Sequence, residues 1–177
     1  PVMGQKTNCE GGMTSMFDTG KSALLSEDGK YRYTLDRVWG AGKPVVFVGL
    51  NPSTADAQVD DPTLRRMIGF AKRWGFPGVT VVNLFAVRLT YPAGLLDVED
   101  PVGPNNDEVL ADAAGKAGLV VVCWGNHGVF KNRCGEVARI LPPAKCFGLT
   151  LLKQPAHPLY LPHTAQLEDW NPNEEKD

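Results

Sequence analysis

The segment from Val45 to Asp56, Val-Val-Phe-Val-Gly-Leu-Asn-Pro-Ser-Thr-Ala-Asp, constrains this chain more than any other. Four apolar residues, mostly β-branched, run into Gly49 and then into a cluster of small polar side chains. The run is continuous rather than alternating. It predicts a strand buried on both faces, as in a parallel sheet covered by helices. In open α/β sheets, ligands bind beyond the carboxyl ends of the strands. Asn51, Pro52, Ser53 and Thr54, with Asp56, Asp60 and Asp61 close behind, bring hydrogen-bonding groups to the place where a site is expected. The same residues also suit a turn followed by a helix cap.

The rest of the chain repeats this strand-then-helix alternation. Tyr31 to Val38 reads as a strand after the Asp28-Gly29 turn, and Pro44 to Leu50 as the buried strand just described. Pro62 to Trp74 predicts a helix, with Leu64, Met67, Ile68, Ala71 and Trp74 at spacings of three and four, Asp60 or Asp61 as N-cap and Gly75 as terminator. Further strands are expected at Val79–Leu84, Leu119–Trp124 and Cys146–Leu152, and further helices at Asn106–Ala117 and Val129–Leu141. The long Pro/Gly/Asp loop from Tyr91 to Asn105 is of a kind that often carries function. The pattern implies an α/β fold of three layers, a central and mainly parallel sheet of about four strands flanked by helices. Residues 22–163 form the expected domain, after a loosely ordered leader (1–21) and before a polar, fraying tail (164–177).

Composition narrows the function classes. With 177 residues, 43% hydrophobic and 21% charged, the chain suits one soluble globular domain. No apolar run approaches the roughly 20 residues of a membrane span, and no basic start with an apolar core marks a signal peptide. A cytoplasmic monomer without membrane partners is expected. The net charge of -2 argues against a large nonspecific nucleic-acid footprint. It still allows a local basic rim from Arg65, Arg66, Lys72, Arg73, Arg88, Lys131 and Arg133. Cys9, Cys123, Cys134 and Cys146 form no Cys-x-x-Cys pair and read as free thiols.

Four strand exits carry polar side chains: Asn51 with Ser53, Asn83, Asn126 with His127, and His157. Their convergence on one edge of the sheet is the central expectation. Gly-x-Ser-x-Gly, the P-loop and the dinucleotide-binding glycine pattern are all absent from the sequence. His127, His157 and His163 lack metal-ligand spacing, so neither a metal nor a cofactor is expected. Amide and imidazole groups suit a flat polar ligand. An Asn side chain donates and accepts at once and can pair with a base edge. A His can donate to an oxygen that gains charge as a leaving group departs. Such a set suits cleavage of an N-glycosidic bond, with Phe85, Trp124 and Tyr160 as a stacking wall or, as is commoner for aromatics, as core.

Gly49-Leu50-Asn51-Pro52-Ser53 resembles the first motif of the uracil-DNA glycosylase superfamily, closest to the mismatch-specific branch with its Gly-x-Asn-Pro-Gly. Val81-Val82-Asn83 resembles the strand whose terminal Asn reads the base, and Ala156-His157-Pro158-Leu159 resembles the final His-Pro-Ser motif. The sequence departs from that superfamily at Ser53, where the branch has Gly, and at Leu159, where a phosphate-pinching Ser would stand. A closer similarity is to a domain family of unknown function from bacteria and phages. Its pattern stands here as Leu50–Asp56, Asp60–Thr63, Asn83–Arg88, Pro101–Asp107 and His157–Leu161.

The first resemblance implies a uracil-DNA glycosylase-like fold and a glycosylase-like hydrolase. Asn51 would position the attacking water, Asn83 would read the base and His157 would stabilise the departing base. Asn51, His157 and Asp56 are then the catalytic candidates, and Pro52, Ser53, Asn83, Phe85, Arg88, Asn126 and Pro158 the substrate-binding ones. The partner is a nucleic acid or a nucleotide. Two other readings stand beside this one: a related fold that binds, hydrolyses or transfers a free nucleotide or modified base, and a non-catalytic interaction module.

Overall fold

The apolar run at Val45 becomes the centre of a sheet. A computed structural model describes residues 20–53 and 58–172. Its strands are β1 (Gly20–Leu25), β2 (Arg32–Val38), β3 (Val45–Gly49), β4 (Gly78–Asn83), β5 (Leu119–Val122), β6 (Ala144–Cys146) and β7 (Glu168–Trp170). They lie in the order β1-β2-β4-β3-β5-β6-β7. Strand β3 pairs in parallel with β4 and with β5, and β5 in parallel with β6. The β1–β2, β2–β4 and β6–β7 pairings are antiparallel. The sheet is therefore mixed and seven-stranded, larger than the expected sheet of about four. The added strands sit at its edges, where one face or both meet water, so they lack the long apolar runs that mark the centre. One of them, β7, is Glu-Asp-Trp and falls in the segment expected to fray; another, β1, begins at Gly20, inside the expected leader.

Helices cover both faces. On β3, Val45 and Phe47 pack with Leu64, Met67, Phe70 and Ala71 of α1 (Pro62–Arg73). Val46 and Val48 point the other way, to Leu110 and Ala114 of α2 (Asn106–Lys116) and Val137 of α3 (Arg133–Ala138). All five residues of β3 are buried, the two-sided burial that its unbroken apolar run required. Asp61 is the N-cap of α1: its side chain accepts from Leu64 N at 2.7 Å, and Pro62 follows in the first turn.

Two expected elements are shorter or broken. The strand expected over Cys146–Leu152 ends at Cys146, and Leu151 is fully exposed on a turn closed by the Leu149–Pro155 bridge. The helix expected over Val129–Leu141 is split. A 3₁₀ segment covers Asn126–Asn132, Lys131 and Asn132 take left-handed conformations (φ 52° and 54°), and α3 starts only at Arg133. No helix among the described residues is long and apolar enough to cross a membrane.

Candidate functional site

The loop that leaves β3 is laced to the chain that leaves β4. Leu84 N and Phe85 N donate to Gly49 O and Leu50 O, each at 2.9 Å, and Leu89 N donates to Pro52 O at 3.0 Å. The Asn51 side-chain nitrogen donates to Pro52 O and to Leu89 O, both at 3.0 Å. That amide nitrogen is spent on holding the loop, so any polar contact Asn51 makes in the cavity is through Oδ1.

Asn83 ends β4 on the face of Val79 and Val81, the face that α1 covers. Its carboxamide lies over Gly49, its parallel partner, where a Cβ would stand only 2.8 Å from Asn83 Oδ1. A Cβ there would push the carboxamide aside, so glycine leaves room for it. From the opposite face, the fully buried Asn106 donates to Asn83 O at 3.0 Å and to Leu84 O at 3.1 Å. Buried Arg133 donates from Nε to Leu84 O at 2.8 Å and pairs with Asp107 and with Glu136. Two buried polar side chains thus brace the β4 exit, and buried polar groups hold position best when fully hydrogen-bonded.

Arg32, at the start of β2, lies beside this exit because β2 runs antiparallel to β4, with its N donating to Ala86 O at 2.9 Å. Its side chain reaches the α1 face through a bulge. Against β1, Leu24 pairs with Thr34 but Leu25 pairs with Arg32, so Tyr33 is skipped. The slip reverses the alternation. Leu35 joins the α1-side core, Tyr33 joins the core on the other side, and Arg32 shares a cavity wall with Leu35 and Val81. Burial, and then the Arg88 guanidinium, push the Arg32 pKa down to about 10, with Arg37 adding to the fall and Asp61 opposing it.

The remaining walls come from the β5 exit and the His157 segment, which Gly125 N ties together by donating to Pro155 O at 2.9 Å. Asn126 Oδ1 accepts from Thr150 Oγ1 at 2.6 Å. His157 Nδ1 accepts from Leu159 N at 3.3 Å, an arrangement that places the proton of the neutral ring on Nε2. Burial lowers the His157 pKa, with Asp61 pulling the other way. Trp124 is buried, gives its indole N–H to Gln154 Oε1 at 2.9 Å, and meets the edge of Trp170 at 5.3 Å.

These exits enclose one cavity of about 410 Å³. It brings together Asn51, Pro52, Ser53, Asn83, Asn126 and His157, and it also takes in His127 and Trp124. Other expected site residues lie elsewhere. Phe85 is completely buried in the core on the α2 side, because β4 ends at Asn83 and the strand alternation is lost there, so that Leu84 and Phe85 both turn to that core. Tyr160 is 90% exposed and does not line the cavity, so of the expected stacking wall only Trp124 stands at the site. Arg88 donates to Gly29 O at 3.2 Å, and Pro158 is buried at the start of a 3₁₀ turn; neither lines the cavity. Asp56 lies outside the described residues. Reasoning from the sequence missed Arg32 as a site residue, and the signal that reveals it, the slip at Tyr33, exists only in the strand pairing. Asp61, expected as a cap, both caps α1 and lines the cavity.

The resemblance to the uracil-DNA glycosylase superfamily rests on the three short motifs alone. A comparison with curated proteins found no match, and neither did a comparison with solved structures. A family model matches residues 32–159, a span that begins at Arg32 and holds every residue lining the cavity. The chain belongs to that family, described as a protein of unknown function (DUF1643).

Proposed function

We propose that the cavity at the strand exits binds a nucleobase and that the protein cleaves the N-glycosidic bond holding it, as a uracil-DNA glycosylase-like hydrolase. One observation carries this reading: Asn51, Asn83 and His157, from three separate segments, line the same cavity of about 410 Å³. That volume falls within the ~300–1,000 Å³ of small-molecule sites. Asn83 presents a carboxamide, the group that pairs with a base edge, from a stretch of main chain whose carbonyl Asn106 holds. Asn51 keeps Oδ1 for a water, since its nitrogen is engaged by the loop. His157, neutral with its proton on Nε2, suits donation to a base that leaves with the bonding electron pair. Water adds its hydroxyl to the sugar carbon, and its proton ends on the released base. Leu35, Leu64, Met67 and Val81 supply apolar walls against the base faces.

Labelled oligonucleotides carrying uracil, mismatches or modified pyrimidines test the reading through formation of abasic sites. Cleavage of at least one substrate is expected, with loss on Asn83→Ala in a protein that still melts cooperatively. No cleavage of any substrate at stoichiometric enzyme, together with no binding of free bases, would sink it. A second reading, hydrolysis or transfer at a free nucleotide, is favoured by Leu159 standing where a phosphate-pinching Ser is expected of a DNA enzyme. Nucleosides and nucleotides offered beside oligonucleotides separate the two.

A further inference from the structure

Hydrolysis of an N-glycosidic bond needs a group that takes up a proton from the attacking water, and the roles given to Asn51, Asn83 and His157 supply none. An amide oxygen such as Asn51 Oδ1 accepts a hydrogen bond but is too weak a base to remove the proton. His157, with its proton on Nε2, is committed to donation. Among the described residues of the cavity wall, two titratable groups remain that can accept a proton, Asp61 and His127. Asp61 is the one carboxylate among them. Its neighbour Asp60 does not line the cavity and pairs with Arg37 at 2.8 Å and with Lys21 at 3.3 Å. His127 is exposed, with its ring turned edge-on to Phe130 at 5.0 Å.

The fold aims Asp61 before any ligand arrives. Its backbone is extended at the start of α1 (φ -70°, ψ 169°), and its Oδ1 accepts from Leu64 N at 2.7 Å. That cap fixes a side chain which would otherwise sample several rotamers, and a fixed group acts at a higher effective concentration. Thr63, Leu64 and Met67 of the same helix continue the wall beside it. Its charge is felt at His157, where it opposes the effect of burial. A carboxylate also matches the chemistry. The sugar carbon turns cationic as the base leaves with the bonding pair, and the water that meets such a carbon becomes acidic enough for a carboxylate to deprotonate.

Given the hydrolase reading, on which this rests, we propose that Asp61 is its general base. Asn51 Oδ1 accepts one hydrogen of the attacking water, and the Asp61 carboxylate takes the other as a proton. The water oxygen bonds to the sugar carbon while the bond from that carbon to the base breaks. The electron pair of the broken bond leaves on the base, beside the N–H of His157. The proton on Asp61 then passes through solvent to the released base, which restores the carboxylate.

Asp61→Asn separates this role from the cap, because asparagine caps a helix as well as aspartate does and cannot take up a proton. The full chain is assayed on labelled oligonucleotides carrying uracil, mismatches or modified pyrimidines, and on nucleosides and 5′-monophosphates of the common bases. On the best of these substrates Asp61→Asn should lower kcat by about 10²-fold or more, with KM and melting temperature near wild type. His127→Gln should lower kcat less than Asp61→Asn does. Asp61→Gly keeps a tolerated cap and opens space for a small acid, so added sodium formate should raise its rate with concentration. A purely structural loss would not respond to formate. A smaller fall in Asp61→Asn overturns the proposal, as does a loss confined to KM, a larger loss in His127→Gln, or an Asp61→Gly rate that formate leaves unchanged. If Asp61→Asn does not fold, Asp61→Ser, an equally good cap without a base, takes its place under the same criteria. Cleavage by wild type that survives loss of the carboxylate removes this inference alone and leaves the hydrolase reading standing. A wild-type protein that cleaves none of the probes sinks both.

Discussion

Replacing Gly49 with alanine tests how the carboxamide of Asn83 is held at the site. The new Cβ would stand 2.8 Å from Asn83 Oδ1 and 3.9 Å from Val82 O. Carbon–oxygen contacts settle near ~3.3–3.6 Å, so the carboxamide must retreat by roughly 0.5–0.8 Å. Asn83 is buried and lines the cavity, the open space into which its carboxamide can retreat. Overpacking a site of this kind costs about 1–3 kcal/mol. For a chain of this size each kcal/mol is worth about 2–4 °C, so the melting temperature should fall by roughly 2–12 °C. Base affinity should fall by about 10- to 100-fold, the order expected when a recognition group is misplaced by up to ~1 Å. Asn83→Ala removes the atom with which the new Cβ collides. The Gly49→Ala/Asn83→Ala double variant should therefore be less destabilised than the sum of the single variants, by about 0.5–3 kcal/mol of coupling. Thermal melts of the four proteins, with base titrations on wild type and Gly49→Ala, provide the measurement. A Gly49→Ala protein that melts and binds like wild type, with additive single effects, would refute the placement of Asn83 over Gly49.

Three further outcomes follow from the bracing of the site. Asn106→Ala should cost about 1–3 kcal/mol in a denaturant melt, because Asn83 O loses its buried donor, and base affinity should fall with it. Arg133→Met should cost a similar ~1–3 kcal/mol rather than the larger penalty of a stranded buried charge, since Asp107 and Glu136 are more than half exposed and stay hydrated. A loss well above that range would mean that Arg133 organises more than Leu84 O and its two carboxylates. For His157, the unfolded imidazole takes up a proton near pH ~6.5, whereas the desolvated folded ring takes one up only at lower pH. The unfolded state therefore holds more protons as pH falls below that value, and stability is lost as the solution is acidified through the folded pKa. Melting temperatures across pH 5–8 (roughly the range in which His titrates) should fall less steeply on the acid side for His157→Gln than for wild type; parallel curves would show that this ring does not titrate with unfolding.

Much of the fold was legible because burial on two faces leaves a mark in the local sequence. The runs at Val45, Val79 and Leu119 became β3, β4 and β5, and the three- and four-residue spacing after Pro62 became α1 with an aspartate cap. The polar residues at the ends of those strands could be placed near one edge because strands in a parallel sheet all end on the same side. What stayed hidden depends on contacts with distant partners. The short edge strands β1 and β7 carry no periodic signal, and the left-handed pair Lys131–Asn132 interrupts an apolar pattern that reads as one helix. Phe85, expected at the site, lies in the core, and Arg32, not expected there, lines the cavity. Which face a side chain takes is set by register against a neighbouring strand, and a single skipped residue at Tyr33 reverses it. Asn106 and Arg133 look like ordinary surface residues in a polar helix start until the β4 exit packs against them. The residues themselves determined which groups the strand ends would carry; the tertiary pairing decided which of those groups face one another, because orientation is a property of the pair and not of either segment alone.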